Sequence, residues 1–131
     1  MQLIVYADGG SKKTGESVCG ASIQDIYGVE IASISKNIGV ATNNKAEYGS
    51  AILGVKKAKE LGATEVQLIM DSQLVIKQLS GEYTVSKDHL KPLYKELLEL
   101  LESLDNYYLT WVPRELNKRA DQLAGEAYGI S

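Results

Sequence analysis

The chain has 131 residues, enough for one domain of ordinary size with its own hydrophobic core. It is 44% hydrophobic and 24% charged with a formal net charge of −3, which is typical of a soluble globular protein and excludes one that holds nucleic acid by bulk positive charge. The one cysteine, Cys19, excludes an internal disulfide or a cysteine-based metal cluster. We find no secretory leader and no apolar run that could span a bilayer, and we expect a cytoplasmic monomer.

The apolar patterns predict nine elements in chain order. We predict strands at 3–7, 18–26 and 29–38, a helix at 43–61, a strand at 65–70, helices at 73–79 and 88–104, a strand at 107–112 and a last helix at 116–128. The order β-β-β-α-β-α-α-β-α predicts an α/β fold. We expect a five-stranded mixed sheet, antiparallel over its first three strands and parallel afterwards, with helices on both faces. No repeat or linker interrupts the pattern, so we expect residues 1–131 to form a single domain.

The first strand ends in an acidic, glycine-rich stretch. Asp8 follows the apolar run, and Gly9, Gly10 and Ser11 come directly after it. A carboxylate at the end of a buried strand lies at the rim of a sheet, and glycines beside it let a ligand or a backbone approach closely. The alternative is that Asp8 only begins a turn, because Asp-Gly is a common turn dipeptide.

Three further acids occupy comparable places in the predicted elements. Glu47 lies in the first turn of the first helix, Asp71 ends the fourth strand, and Asp121 lies in the last helix. Each has a structural alternative: Glu47 completes a capping box with Asn44, Asp71 caps the next helix, and Asp121 is an exposed helix residue. If the first and fourth strands are parallel neighbours, Asp8 and Asp71 emerge side by side at one edge of the sheet.

A cluster of these acids would require a cation. Neighbouring carboxylates repel each other, which raises their pKa values and costs stability unless positive charge lies among them. Oxygen ligands without cysteine or histidine suit Mg²⁺ or Mn²⁺ rather than Zn²⁺. Such a cluster can hold two ions, the usual arrangement for displacement at phosphorus.

Four motifs, in order along nearly the whole chain, resemble those of ribonuclease H of type 1. Residues 8–11 (DGGS) resemble its first-strand motif, and residues 41–47 (ATNNKAE) its TNN-x-x-E motif. Residues 70–76 (MDSQLVI) resemble its DSQ-x-V-I motif, and residues 111–121 its VPRE-x-N…AD ending. The chain resembles the short form of this family, which lacks a basic handle.

The resemblance implies an endonuclease that cuts the RNA strand of an RNA–DNA hybrid and leaves 5′-phosphate and 3′-hydroxyl ends. It also implies that Asp8, Glu47, Asp71 and Asp121 are the catalytic acids and bind two Mg²⁺ or Mn²⁺ ions when substrate is present. One ion would lower the pKa of a water aimed at the phosphorus, and the other would stabilise the leaving 3′ oxygen.

The resemblance further implies a set of substrate contacts around the acids. The positions that match are Gly9, Gly10, Ser11, Thr42, Asn43, Asn44, Gln73 and Arg114. Amides can read the RNA 2′-hydroxyl across the minor groove, and Thr42 matches a position that binds a phosphate of the DNA strand. The structural alternatives are helix capping for the two asparagines and a solvated helix position for Gln73.

Two features depart from the family pattern. Many members carry a histidine in the loop before the last acid, but residues 112–117 contain none. The one histidine, His89, is expected to be a surface or packing residue, and Glu115 a first-turn helix residue. Arg114 is our candidate to hold a phosphate or leaving group there. In place of the basic handle, the 81–91 region is short, and its only lysines or arginines are Lys87 and Lys91. Hybrid binding should therefore depend strongly on salt.

Three other functions are alternatives to a ribonuclease. A non-catalytic binding module would not need all four acids. A proofreading-type exonuclease places a second acid two residues after the first, where this chain has Gly10. A sugar-kinase-type phosphotransferase has a similar Asp-Gly-Gly start but needs a second domain. Hydrolysis of a labelled hybrid with Mg²⁺ or Mn²⁺, lost in EDTA, separates the first of these from an enzyme.

Overall fold

The computed structural model describes residues 1–129, which form five strands and four α-helices in the predicted order. The strands are β1 (Gln2–Ser11), β2 (Glu16–Gln24), β3 (Glu30–Val40), β4 (Glu65–Met70) and β5 (Asn106–Trp111). The helices are α1 (Asn43–Glu60), α2 (Gln73–Leu79), α3 (Lys91–Glu102) and α4 (Lys118–Glu126), with a 3₁₀ turn at Arg114–Leu116.

The sheet has the order β3-β2-β1-β4-β5, with β1 at its centre. Strands β1, β2 and β3 pair antiparallel, whereas β1–β4 and β4–β5 pair parallel. The expected mixed sheet is therefore confirmed, as is the parallel pairing of the first and fourth strands. This pairing brings the end of β4 beside the middle of β1, because Ala7 is in register with Met70.

Strand β1 is longer than the sequence predicted. The apolar run stops at Ala7, but β1 continues through Ser11 because its last residues pair with β2. The pairing with β4 does stop at Ala7. Asp8 is thus an internal residue of one strand, and it lies where the neighbouring strand has already ended.

Two helices, α3 and α4, begin later in the chain than the sequence predicted. The helix expected over 88–104 begins at Lys91, since Leu90 is its N-cap and a proline occupies the first turn. The helix expected over 116–128 begins at Lys118, because Arg114–Leu116 form a 3₁₀ turn in which the Leu116 N–H bonds to the Pro113 carbonyl at 2.9 Å. Leu116 is 64% exposed and therefore does not contribute to the core.

The core lies between the sheet and helices α1, α2 and α3. Alternate residues of β1, namely Leu3, Val5 and Ala7, are fully buried on this face, as period-two alternation requires. They pack with Val55 of α1 and with Leu97 of α3 in one cluster. Helix α4 covers the opposite face of the sheet over β2 and β1. None of the helices within residues 1–129 is long and apolar enough to cross a membrane.

Candidate active site

A cavity of about 360 Å³ opens where β4 ends beside β1. Nine of the twelve residues selected from the sequence line it: Asp8, Gly9, Gly10, Ser11, Asn43, Glu47, Asp71, Arg114 and Asp121. The four acids come from β1, α1, the end of β4 and α4. Residues more than 100 positions apart along the chain therefore meet at one edge of the sheet.

Helix α4 is seated on the sheet through Gly20. Gly20 is the register partner of Asp8, so both residues face the α4 side of the sheet. A Cβ atom at position 20 would lie 2.4 Å from the carbonyl oxygen of Ala120 and from the amide nitrogen of Ala124. Only glycine permits this approach of helix to strand. It places Asp121, which lies between those two helix residues in sequence, beside Asp8.

Helix α1 is seated in the same way on the other face, through Gly9. A Cβ atom there would lie 2.2 Å from the backbone of Ala46 and 2.5 Å from the amide nitrogen of Glu47. The first turn of α1 therefore rests directly on β1, and Glu47 is carried to the cavity. Gly9 thus has a packing reason to be glycine, and its contact with substrate remains a prediction.

Helix capping leaves Glu47 and Asp71 free for the site. Thr42 caps α1 by accepting from the Lys45 N–H at 3.2 Å. Ser72 caps α2 by accepting from the Val75 N–H at 3.2 Å. The capping alternatives for Glu47 and Asp71 are therefore wrong. Neither carboxylate is needed to satisfy a helix end.

Asp71 is held in place by a residue that the sequence analysis did not select. The Asn117 side chain is 1% exposed, and its Nδ2 donates to both the Ala7 carbonyl and Asp71 Oδ1 at 2.9 Å. Because both neighbours are acceptors, the orientation of the amide is fixed, and Asn117 Oδ1 is buried without a partner among the described residues. One side chain thereby links β1, the end of β4 and the start of α4.

The electrostatics of the cavity centre on Asp8. Burial, followed by the carboxylates of Asp71 and Asp121, raises the pKa of Asp8 to about 8. Burial disfavours the charged carboxylate, and two negative neighbours disfavour it further. The cavity is thus built to hold more negative charge than its own residues neutralise.

Glu47 differs from Asp8 in having hydrogen-bond donors that oppose the rise in its pKa. Burial raises the pKa of Glu47 above its ordinary value, and the negative charge of Asp71 adds to this effect. Hydrogen bonds from Ser72 and Asn43 act in the opposite direction. Asn43 Nδ2 lies 2.5 Å from Glu47 Oε1, so this amide orients an acid of the site.

Arg114 lies at the mouth of the cavity. Its Nη2 is 3.8 Å from Asp121 Oδ1, and its side chain is 80% exposed. A guanidinium in this position offsets part of the negative charge but is too exposed to neutralise the half-buried acids Asp8, Glu47 and Asp71. His89 lies outside the cavity lining, at an exposed position before α3, as the sequence analysis expected.

The donor set of the cavity fits a hard divalent cation. Its acidic and amide lining groups present oxygen atoms, and neither a thiol nor an imidazole lines it. The raised pKa values of Asp8 and Glu47 are the expected sign of carboxylates without a counter-cation. Within residues 1–129, no group of three or more His, Cys, Asp or Glu side chains is already arranged to hold a metal ion. The four acids would therefore adopt a coordinating arrangement only when the ion binds.

Three predicted substrate residues lie outside the cavity lining. Thr42 is the N-cap of α1, Asn44 lies in the first turn of that helix, and Gln73 begins α2 with an exposed side chain. Asn44 lines a second cavity of about 400 Å³ with residues of the α2–α3 connection. Their role as substrate contacts stays a prediction.

Ser72 and Tyr128 line the cavity but were not selected from the sequence. Ser72 could have been found from its place directly after an acid at a helix start, which is typical of an N-cap. For Tyr128, which follows α4, no local pattern signals a site. Only the packing of α4 through Gly20 brings it there.

The fold and the acids together define a class of protein. A mixed sheet in the order β3-β2-β1-β4-β5, with carboxylates gathered at the edge where β4 ends beside β1, is the ribonuclease H-like arrangement. A model of the family described as reverse transcriptase-like matches residues 7–127. The chain belongs to this family, as a ribonuclease H-like domain of type 1 in the short form without a handle.

Individual relatives agree with this assignment. The chain is 39% identical over 129 residues to a bifunctional protein of Mycobacterium tuberculosis and 38% identical over 123 residues to ribonuclease HI of Halobacterium salinarum. These matches cover 97% and 93% of the chain, which spans only 35% and 62% of the two relatives. The solved N-terminal RNase H domain of the mycobacterial protein superimposes with a TM-score of 0.95 at 37% identity, covering 98% of this chain and 100% of that one.

A second solved structure includes nucleic acid. LC11-RNase H1 in complex with an RNA/DNA hybrid matches with a TM-score of 0.89 at 34% identity, and the match covers 95% of each chain. The Halobacterium relative is named a ribonuclease HI and LC11 an RNase H1, whereas the mycobacterial structure is named an RNase H domain.

Proposed function

We propose that this protein is an endonuclease that hydrolyses the RNA strand of RNA–DNA hybrids and leaves 5′-phosphate and 3′-hydroxyl ends. The observation that carries the proposal is the convergence of Asp8, Glu47, Asp71 and Asp121 on one cavity, where Asp8 lies among carboxylates without a cation of its own. Support for the substrate comes from LC11-RNase H1, a neighbour of the same fold that was solved with an RNA/DNA hybrid.

The four acids would hold Mg²⁺ or Mn²⁺, with two ions in place when substrate is bound. Bound in this way, the metal supplies an activated water and stabilises charge on the leaving oxygen. The chain itself supplies the placement of the acids. Gly9 and Gly20 seat the helices that carry Glu47 and Asp121, and Asn117 fixes Asp71.

Substrate recognition would use neutral and cationic groups around the acids. Asn43 and Asn44 can both donate to and accept from a ribose 2′-hydroxyl, which distinguishes RNA from DNA. Arg114 is exposed and lies beside Asp121 at the mouth of the cavity. Its guanidinium can therefore bind a phosphate there while it stays close to Asp121. Thr42 and Gln73 would contact the duplex outside the cavity.

The proposal is tested by assaying end-labelled RNA–DNA, RNA–RNA and DNA–DNA duplexes with Mg²⁺, with Mn²⁺ and with EDTA. We expect cleavage of the RNA strand of the hybrid, dependent on metal, and end analysis that shows 5′-phosphates. The variant Asp71→Asn should lose at least about 100-fold in kcat, the usual effect of removing one electrostatic group from a reaction centre.

A matched control keeps this test specific. Glu115 is acidic, exposed and near in sequence to Arg114, but it does not line the cavity. Glu115→Gln should therefore retain wild-type turnover. Equal activity in Asp71→Asn and wild type would show that the site is misassigned, and cleavage that persists in EDTA would contradict the metal. The cytoplasmic location and the monomeric state stay predictions of the sequence.

A further inference from the structure

The C-terminal turn after α4 is fixed to the sheet by several contacts. Asn37 Nδ2 donates to the Ala127 carbonyl at 3.2 Å, and the Gly129 N–H donates to Glu16 Oε2 at 3.0 Å. These contacts connect the turn to β3 and β2 on both sides of Tyr128. The tyrosine side chain therefore projects from a fixed backbone rather than from a loose tail.

The Tyr128 ring is fixed as well, and its hydroxyl points at the active site. The ammonium group of Lys12 lies 4.5 Å from the centre of the ring, a cation–π distance. A Cβ atom built on Gly10 would lie 3.4 Å from the Tyr128 hydroxyl oxygen and would meet nothing else nearby. The hydroxyl thus stands over a bare stretch of β1, two residues beyond Asp8, and the residue lines the cavity.

The hydroxyl is available to a ligand. Within residues 1–129 it makes no hydrogen bond, and the carboxylate of nearby Glu16 accepts from Asn37 and from the Gly129 N–H instead. Burial, followed by the negative charges of Glu16, Asp8 and Asp121, raises the pKa of Tyr128, which favours the neutral phenol that can donate a hydrogen bond. A partner that accepts a hydrogen bond is what this position lacks.

We infer that Tyr128 is a substrate-positioning residue whose hydroxyl donates a hydrogen bond to a non-bridging phosphate oxygen of the RNA strand as it crosses Gly10. This inference rests on the proposed function and adds a contact to it. A phosphate rather than a 2′-hydroxyl is assigned because Lys12, which also pairs with Glu16 at 3.6 Å, lies on the same ring and brings positive charge to that side. Elsewhere in the cavity the carboxylates repel phosphate. A hydrogen-bond donor and a cation close together therefore favour one path for the phosphate backbone of the RNA.

The test uses Tyr128→Phe, which keeps the ring and its contact with Lys12 and removes only the hydroxyl. Because this contact would form equally in the ground and transition states, we expect KM for the hybrid to rise roughly 5- to 10-fold with kcat nearly unchanged. The melting temperature should not change. Tyr27→Phe is the matched control, since Tyr27 is 86% exposed at the tip of the β2–β3 hairpin, and it should behave as wild type.

A second arm identifies the atom that receives the hydrogen bond. Hybrids that carry a single methylphosphonate at successive positions around the cut remove one phosphate charge at a time. At one position, wild type and Tyr128→Phe should become equal. If they become equal instead on a hybrid with a single 2′-deoxy substitution, or if the variant binds and cuts as wild type does throughout, the assignment is wrong.

Binding measured in the Asp71→Asn background separates this inference from the proposed function. There, adding Tyr128→Phe should weaken hybrid affinity by the same 5- to 10-fold without any turnover. If wild type fails to cut hybrids but this difference in affinity persists, the contact stands and the proposed activity falls. If wild type cuts hybrids and the difference is absent, only the contact falls.

Discussion

Helix α4 contributes to two clusters of charged side chains on the sheet. In one cluster opposite charges are paired, and in the other carboxylates lie side by side. Two residues apart on this helix, Arg119 and Asp121 point to different groups. Arg119 donates to both carboxylate oxygens of Glu30 at 2.9 and 3.0 Å, and Ser22 donates to the same carboxylate at 2.7 Å. Asp121 instead faces Asp8, which already faces Asp71.

The pKa values show the consequence of this difference. Hydrogen bonds from Arg119 and Ser22 hold the pKa of Glu30 below its ordinary value, so its charged form is stabilised by folding. Burial and carboxylate neighbours raise the pKa of Asp8 to about 8, so its charged form opposes folding. The Glu30 cluster secures α4, and the Asp8 cluster carries the chemistry at a cost in stability.

The largest effect should come from disturbing the contact between Gly20 and α4, because both clusters depend on the position of that helix. Gly20→Ala places a methyl group 2.4 Å from α4 backbone atoms, which cannot move as a flexible side chain would. We expect a loss of about 1–3 kcal/mol in the free energy of unfolding, typical of overpacking, measured by urea denaturation. Turnover should fall too, since Asp121 is displaced.

The matched control lies on the same helix. A Cβ atom at Gly125 meets nothing within 4 Å, so Gly125→Ala should leave stability unchanged or raise it by about 0.5–1 kcal/mol, as helix propensity predicts. A Gly20→Ala protein as stable as wild type would show that the helix does not rest on this glycine.

A smaller effect, of opposite sign, is expected in the acid cavity. Asp8→Asn removes the buried charge and should stabilise the metal-free protein by at least about 1 kcal/mol at pH 8, the free energy of one unit of pKa shift. Because the folded-state pKa of Asp8 is raised, its contribution is fully favourable below about pH 4 and is lost as the pH rises through about 8.

Thermal melts in EDTA between pH 4 and 9 measure this difference. The stabilisation by Asp8→Asn should grow with pH over that range, and it should shrink when Mg²⁺ is added to wild type. Asp105→Asn, at an exposed position away from the cavity, should show no such trend. A variant less stable than wild type at every pH would mean that the Asp8 charge is compensated within the fold.

The smallest effect is expected at the Glu30 cluster. Glu30→Gln should lower the free energy of unfolding by no more than about 1 kcal/mol at pH 7, because the pair with Arg119 is partly exposed. Since the pKa of Glu30 is lowered, its stabilisation exists above the ordinary value of 4.5 and is lost as the pH falls through the folded-state value. A double-mutant cycle with Arg119→Gln, followed against pH, checks the sign. Stabilisation that increases in acid would contradict the pairing.

The sequence predicted the elements and the four acids because their signals are local. Alternating apolar residues specify the strands, and the motifs around Glu47 and Asp71 are short and contiguous. What it could not predict depends on pairing across the chain. Strand β1 continues to Ser11 only because β2 pairs with it, which placed Asp8 inside a strand rather than at its end.

The same reason explains the residues that were missed. Asn117 reaches Ala7 across 110 positions of sequence, and Tyr128 reaches Gly10 only because Gly20 admits α4 to the sheet. The role of Gly9 also changed in this way: a glycine beside an acid indicates access for a ligand, whereas the structure fills that space with the backbone of Ala46.

Four acids converge on the cavity with only the exposed Arg114 to offset their charge, so the site requires a cation. The most direct measurement is an NMR titration of the Asp8 carboxyl carbon, assigned by comparison with Asp8→Asn, with and without Mg²⁺. We predict a pKa of about 8 without metal and a marked fall when Mg²⁺ is present. A metal-free pKa near the ordinary value of 3.8, unchanged by Mg²⁺, would contradict the account.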